Sequence, residues 1–208
     1  MIDLYIAATG NGVRSLIALE ECGLPYTLHL LDRAKGEQRA AAFMKINPLG
    51  AAPVLVDRAA EGGPLTVTQS VATLLYVVDQ TGKLLAKSGR ARAEALECLM
   101  LAATDVAGSA TQIFLGKHRV PEAERSAWVA NFHDERMGKY LDECERRLAG
   151  RDFLAGDYSV ADIVLYGTMH RPGFVDYIVN GPQRKNLNLW LKRVAARPAV
   201  QRAVAQVP

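Results

Sequence analysis

The chain has 208 residues, half of them apolar and 23% charged, with a formal net charge of +3. That length holds one large domain or two small ones with a real core, and the balance of residues excludes a disordered or fibrous chain. So mild a charge, with no stripe of Lys and Arg interleaved with aromatics, speaks against a nucleic-acid partner.

Ile2 to Ile6 reads as a short apolar strand. Gly10 and Asn11 open a helix from about Gly12 to Cys22, where Val13, Leu16, Ile17 and Leu19 recur at helical spacing, and Gly23 ends it. Asp3, Arg14 and Glu20 leave no signal-peptide apolar region in this stretch. Pro25 and Tyr26 lead into a strand over Thr27 to Leu31, and a helix is predicted from Gly36 to Ile46.

The segment Asn47-Pro48-Leu49-Gly50-Ala51-Ala52-Pro53 then reads as a helix end, a tight loop and a proline opening the strand Val54 to Val56. A proline in that position is often preceded by a cis bond, which turns a backbone edge outward. Gly62-Gly63-Pro64 supplies the turn into a second strand, Leu65 to Thr68. Gln69 and Ser70 start a helix that runs to Thr81. A hydroxyl and free backbone N–H groups at a helix start, beside an outward backbone edge, suit a peptide-like anion.

Beyond Gly82 the alternation of strands and helices stops. Leu96, Leu99, Met100, Ala103 and Ala107 keep helical spacing, as do Met137, Tyr140, Leu141, Cys144 and Leu148 after a start at Pro121-Glu122. Ser159-Val160-Ala161-Asp162 has capping-box spacing ahead of a helix to about His170. Leu187, Trp190, Leu191 and Val194 form a last apolar face before Pro198. Cys22, Cys98 and Cys144 are far apart, without C-x-x-C spacing, and read as small buried hydrophobes. No apolar run approaches the roughly 20 residues a membrane span needs, so a cytoplasmic location is expected.

Four local patterns together resemble the glutathione S-transferase superfamily. They are the start Asp3 to Gly12, the Asn47–Pro53 loop with Thr68-Gln69-Ser70, the segment Phe153 to Asp162, and the closing stretches Asn188–Val194 and Ala196–Val200. The resemblance implies a thioredoxin-like α/β domain of order βαβαββα over residues 1–81, a linker at 82–87, and an all-α domain over 88–208. At the first turn, where other classes carry Tyr, Ser or Cys, this chain offers Thr9 and Asn11, which looks like the bacterial Nu class. Lys35-Gly36-Glu37-Gln38 matches that class too.

From the resemblance, Thr9 and Asn11 are expected to face the sulfur of glutathione and Gln38 its glycyl end. Ala52 would pair by its backbone, and Gln69 and Ser70 would hold the γ-glutamyl carboxylate. Read on residues alone, Thr9 and Asn11 are a turn residue and an N-cap, Gln69-Ser70 a helix cap, Gln38 a surface residue, and Tyr5 part of the core. A free thiol of pKa about 8.5 is only a few per cent thiolate at pH 7, and lowering it by roughly 1.5 units (about 2 kcal/mol) makes half of it nucleophilic. A helix N-terminus and two hydrogen-bond donors favour that change, so the cosubstrate would supply the nucleophile and the protein the electrostatics, without a metal.

One departure stands out: many members carry Lys or Arg where this chain has Ala51. Three functions stay open on this basis. They are glutathione-dependent reduction of disulfides or peroxides, conjugation of an apolar electrophile in a pocket between the domains lined from Ala103–Arg119, and a non-enzymatic binding protein. The family also implies a homodimer, with Leu74, Leu75, Val77 and Val78 offering spare apolar surface and Arg136 or Lys139 near the partner's site.

Overall fold

A computed structural model describes residues 1–179 and 184–208. Its contacts divide the chain into two compact units, Met1–Leu85 with Ala195–Pro208, and Ala86–Val194.

The first unit begins with strand β1 (Ile2–Ile6), helix α1 (Gly10–Cys22) and strand β2 (Tyr26–Leu30). The helix predicted over 36–46 is instead two pieces, a 3-10 turn Glu37–Arg39 and helix α2 (Ala41–Ile46), because Ala40 between them is extended at φ −61, ψ 142. Strands β3 (Val54–Asp57) and β4 (Leu65–Thr68) and helix α3 (Ser70–Thr81) follow. The sheet order is β2-β1-β3-β4, with β1 and β2 parallel and the other neighbours antiparallel. This is the thioredoxin-like arrangement. Leu4, Ile6, Leu16, Leu55 and Leu74 are fully buried in its core.

Val77 and Val78 are buried as well, so α3 keeps little spare apolar surface; Leu75 is only half-buried. The final helix of the chain, Pro198–Ala205, packs on α1 and adds Val200 and Ala203 to the same core. Arg197 clamps Glu21 through two hydrogen bonds of 2.6 and 2.9 Å beside that contact.

The second unit is helical: α4 (Gly89–Met100), a π-helical stretch Leu101–Val106, α5 (Ala107–His118), α6 (Ala127–Arg147), α7 (Val160–Met169), α8 (Asp176–Val179) and α9 (Lys185–Ala195). Pro121-Glu122 opens only a 3-10 turn, Glu122–Glu124, and α6 starts later, where Ser126 Oγ accepts from the Val129 amide at 3.3 Å. The capping box at Ser159 and Asp162 forms as expected. Buried Asp162 also accepts from Trp190 Nε1 at 2.8 Å and Leu154 N at 3.1 Å, so one carboxylate joins α7, α9 and the preceding loop.

Gly89 to His118 form one 30-residue helix of mean hydropathy 1.4 over its most apolar window, long and apolar enough by those measures to cross a membrane. Glu97 and Asp105 interrupt it, so it is not an unbroken apolar run of the length the sequence reading found missing. Its Ala95, Cys98, Leu99, Ala102 and Val106 are buried inside the helical unit, where the helix packs along α6 and α7.

Candidate functional site

The first turn of α1 carries two side chains whose acceptor atoms are filled from behind. Thr9 is extended, φ −135 and ψ 159, and its Oγ1 accepts from the Gly12 amide at 3.2 Å. Its hydroxyl proton is left to donate outward. Asn11 Oδ1 accepts from Arg14 Nη1 at 2.7 Å, which leaves the Nδ2 end of the amide for a ligand. Gly12 lets this turn lie against β1, since a Cβ there would sit 2.5 Å from Ala7 O and 2.9 Å from Ile6 Cβ.

Arg14 is only 3% exposed, and its Nη1 also reaches Ser70 Oγ at 3.4 Å. Burial draws its pKa down to about 10, which leaves it charged at neutrality. Ser15 Oγ and Thr73 Oγ1, 2.6 Å apart, hold α1 to α3 beside it. The first turns of the two helices therefore meet over a buried guanidinium. Gln69, the residue before α3, has φ 72 and ψ 124, a left-handed conformation that costs a non-glycine residue about 1–3 kcal/mol.

Buried Asn47 organises the proline loop. Its Nδ2 donates to Ala51 O at 2.7 Å and its Oδ1 accepts from the Leu49 amide at 3.2 Å. The Ala52–Pro53 bond is cis. Gly50 adopts φ 59 and passes close to Gln38 O, 3.1 Å from where its Cβ would be.

These pieces enclose a groove of about 450 Å3 lined by Thr9, Asn11, Gln38, Ala51 and Ala52, together with Arg33 and Arg39. Gln38 Oε1 is buried and without a partner. Of the residues expected at the site, Thr9, Asn11, Gln38 and Ala52 thus share one groove. Gln69 and Ser70 are not among its lining, and Ser70 is joined to it through Arg14. Tyr5 stacks on His29 at 4.3 Å between ring centroids and also lies outside the lining. Arg136 belongs to the helical unit, where its guanidinium lies 5.4 Å from the Phe132 and Tyr140 ring centroids and donates to the Tyr140 hydroxyl.

The helical unit has a cavity of its own, about 610 Å3, between the last turns of α5 (Ile113, Lys117), the start of α6 (Val129, His133) and the Pro172–Tyr177 segment. Of the stretch Ala103–Arg119, only Gln112 to His118 contribute to it. The small residues Ser109 and Ala110 are packed rather than open. Among the described residues no cluster of His, Cys, Asp and Glu is placed to hold a metal.

Arg14, Arg33, Arg39 and Asn47 were not foreseen as site residues. Arg14 left a trace, a charge between the apolar Val13 and Leu16 on the buried face of a helix. Asn47 left a weaker one, as an Asn-Pro at a helix end. The other two arginines have ordinary surface neighbours in the sequence.

Family models described as the glutathione S-transferase N-terminal and C-terminal domains match residues 11–80 and 103–198. The chain is 33% identical to the disulfide-bond oxidoreductase YfcG of Escherichia coli, over 98% of this chain and 94% of that one. It is 28% identical to the disulfide-bond oxidoreductase YghU of the same organism, over 97% and 73%. A glutathione transferase from Burkholderia graminis, solved with two glutathione molecules bound per subunit, superposes with a TM-score of 0.89 at 30% identity, over 98% of this chain and 87% of that one. Another from Pseudomonas putida, with one glutathione disulfide bound per subunit, gives 0.88 at 27% identity, over 98% and 90%.

Proposed function

The chain belongs to the glutathione S-transferase family, and from that premise we propose that it binds glutathione in the groove of its first unit and uses the thiolate to reduce disulfides. The observation that carries this reading is the donor pair, Thr9 hydroxyl and Asn11 Nδ2, backed by the buried Arg14 charge. Donors and positive charge favour a bound thiolate over a thiol. Gln69 and Ser70 would take the γ-glutamyl carboxylate at the start of α3, and the Ala52 backbone the cysteinyl part. The names of the two oxidoreductases above support reduction over conjugation.

In the reaction, the bound thiolate attacks one sulfur of the substrate disulfide. The S–S bond breaks, a mixed disulfide with glutathione forms, and the other sulfur leaves as a thiolate that takes up a proton. A second glutathione thiolate attacks the glutathione sulfur of the mixed disulfide, releasing the second substrate thiol and glutathione disulfide. Two glutathiones are oxidised for each disulfide reduced. No protein cysteine takes part: Cys22, Cys98 and Cys144 are buried.

Calorimetric titration with glutathione, followed by assays on a small dialkyl disulfide and on an aromatic halide, tests the reading. Binding, with disulfide reduction faster than conjugation, is the expected result. A folded protein that does not bind glutathione overturns it. Faster conjugation would favour the second reading, a transferase for apolar electrophiles, which the apolar cavity of the helical unit supports. We also infer a homodimer in the cytoplasm. The support has moved from α3 to α6, where Trp128 is 71% exposed and stacks on exposed Phe132. A contribution of Arg136 to the partner's groove rests on the family resemblance.

A further inference from the structure

Two bridges tie the start of α1 to the start of α3, and both end on Ser70. The first is Arg14, whose Nη1 lies 3.4 Å from Ser70 Oγ. The second is a pair of hydroxyls one turn further along each helix. Ser15 follows Asn11 by four residues, Thr73 follows Gln69 by four, and both are fully buried. Thr73 Oγ1 donates to the Ser70 carbonyl at 3.0 Å and stands 2.6 Å from Ser15 Oγ. A hydroxyl has one proton, so Thr73 spends its own on Ser70 and the short contact is donated by Ser15. The order Ser15, Thr73, Ser70 is therefore a directed chain, sealed from solvent.

The rest of the α1 and α3 interiors is largely apolar, with Leu16, Ile17, Leu74 and Val77 buried, and apolar contact has no preferred direction. A hydrogen bond between two short side chains has a narrow range of length and angle, so this pair fixes the slide and rotation of α3 against α1. One turn before it on α1 stand the donors Thr9 and Asn11, and one turn before it on α3 stand Gln69 and Ser70. The spacing of those two helix starts is what the pair holds.

We propose that Ser15 and Thr73 are positioning residues for the reaction: their bond sets the distance between the groups that face the sulfur and those that take the γ-glutamyl carboxylate. The assignment rests on the glutathione reading above and deepens it. Neither residue touches the ligand; each acts through Ser70 and the first turns of the two helices. A small error in that spacing costs a ligand that must reach both ends and spares one that reaches only the sulfur end.

The test is calorimetric, with three ligands: glutathione, its α-linked isomer and cysteinylglycine. The isomer has the same atoms but carries its free carboxylate on a different carbon of the glutamyl residue, and cysteinylglycine lacks that residue. The parent should prefer glutathione to the isomer by about tenfold or more. Thr73→Val should bring this preference to about threefold or less and leave cysteinylglycine within about twofold of its parent affinity. Thr73→Ser keeps the hydroxyl and should keep the preference. Ser15→Ala, which leaves Thr73 its bond to Ser70, should give an intermediate value, and it carries the same test should Thr73→Val not fold. If the parent binds glutathione and the folded variants keep the full preference, or weaken all three ligands equally, the pair is a packing contact only and the glutathione reading stands. If the parent does not bind glutathione, both fail together.

Discussion

Arg14 and Asn11 lie one helical turn apart on α1, and the 2.7 Å bond between them fixes which end of the Asn11 amide a ligand meets. The guanidinium lies behind the groove and brings a buried positive charge to it. Replacing it with Gln should raise the pKa of bound glutathione by about one unit and slow turnover at pH 7 several-fold to tenfold. Lysine keeps the charge but loses the planar guanidinium whose Nη1 donates to both Asn11 Oδ1 and Ser70 Oγ, so Arg14→Lys should recover only part of the shift. The ultraviolet absorbance of the bound thiolate, titrated against pH, is the readout. A titration unchanged in both variants would remove Arg14 from the mechanism and leave it a packing residue.

Gln69 holds a conformation that glycine adopts without cost. Gln69→Gly should therefore raise the thermal midpoint, with a gain of about 1 kcal/mol once the added freedom of the unfolded chain is counted. Glutathione affinity should fall several-fold at the same time, because the side chain expected at the γ-glutamyl end is gone. Opposite signs for stability and binding mark strain kept for a site. A loss of both would mean that the turn is an ordinary structural element.

The cysteines should be silent. Burial pushes the Cys144 thiol up to about 12 and raises those of Cys22 and Cys98. Treatment of the folded protein with iodoacetamide at about pH 8, read by mass spectrometry, should label none of the three within the time that labels all of them in denaturant. Glutathione-dependent turnover should survive the treatment. Rapid labelling coupled to loss of activity would put a protein thiol into the reaction.

Acid should loosen the helical unit through Glu143. Hydrogen bonds from Arg146, and then from Arg147, hold its carboxyl at about 2, well below the ordinary 4.5. The folded-state value is depressed, so the stability it contributes is present above the ordinary value and is lost as pH falls from about 4.5 towards 2. Its side chain is about a third exposed, and solvent keeps the contribution modest. Glu143→Gln should lower the melting temperature at pH 7 and flatten its decline across that acid window. Parallel acid limbs in parent and variant would contradict the assignment.

Local signals of period, capping and turn chemistry made most of the fold legible. Ile2–Ile6, Leu65–Thr68, the Ser70–Thr81 helix and the Ser159–Asp162 box stand where the residues placed them. The misses arose where two local signals competed. Gly36 to Ile46 has helical composition, but Ala40 takes an extended backbone between a 3-10 turn and α2. Pro121-Glu122 looks like a helix start, and Ser126 a few residues later is the cap that the long helix uses. At the site, the residues that line the groove from the first turn and the proline loop were readable. Arg14, Arg33 and Arg39 were not, because what each faces is set by groups distant in sequence: Ser70 at the start of α3 for Arg14, and the proline loop for Arg39.

The packing of the last helix on α1 orders the birth of the molecule. Val200 and Ala203 belong to the core that holds Leu16 and Leu74, so the unit synthesised first is closed by residues synthesised after the second unit. On the ribosome, Ala86–Val194 has its own core residues available before Pro198–Ala205 emerges, whereas the core of the first unit must wait for that helix to arrive. A nascent chain halted after Leu85 would carry every groove-lining residue on a domain whose core is still open.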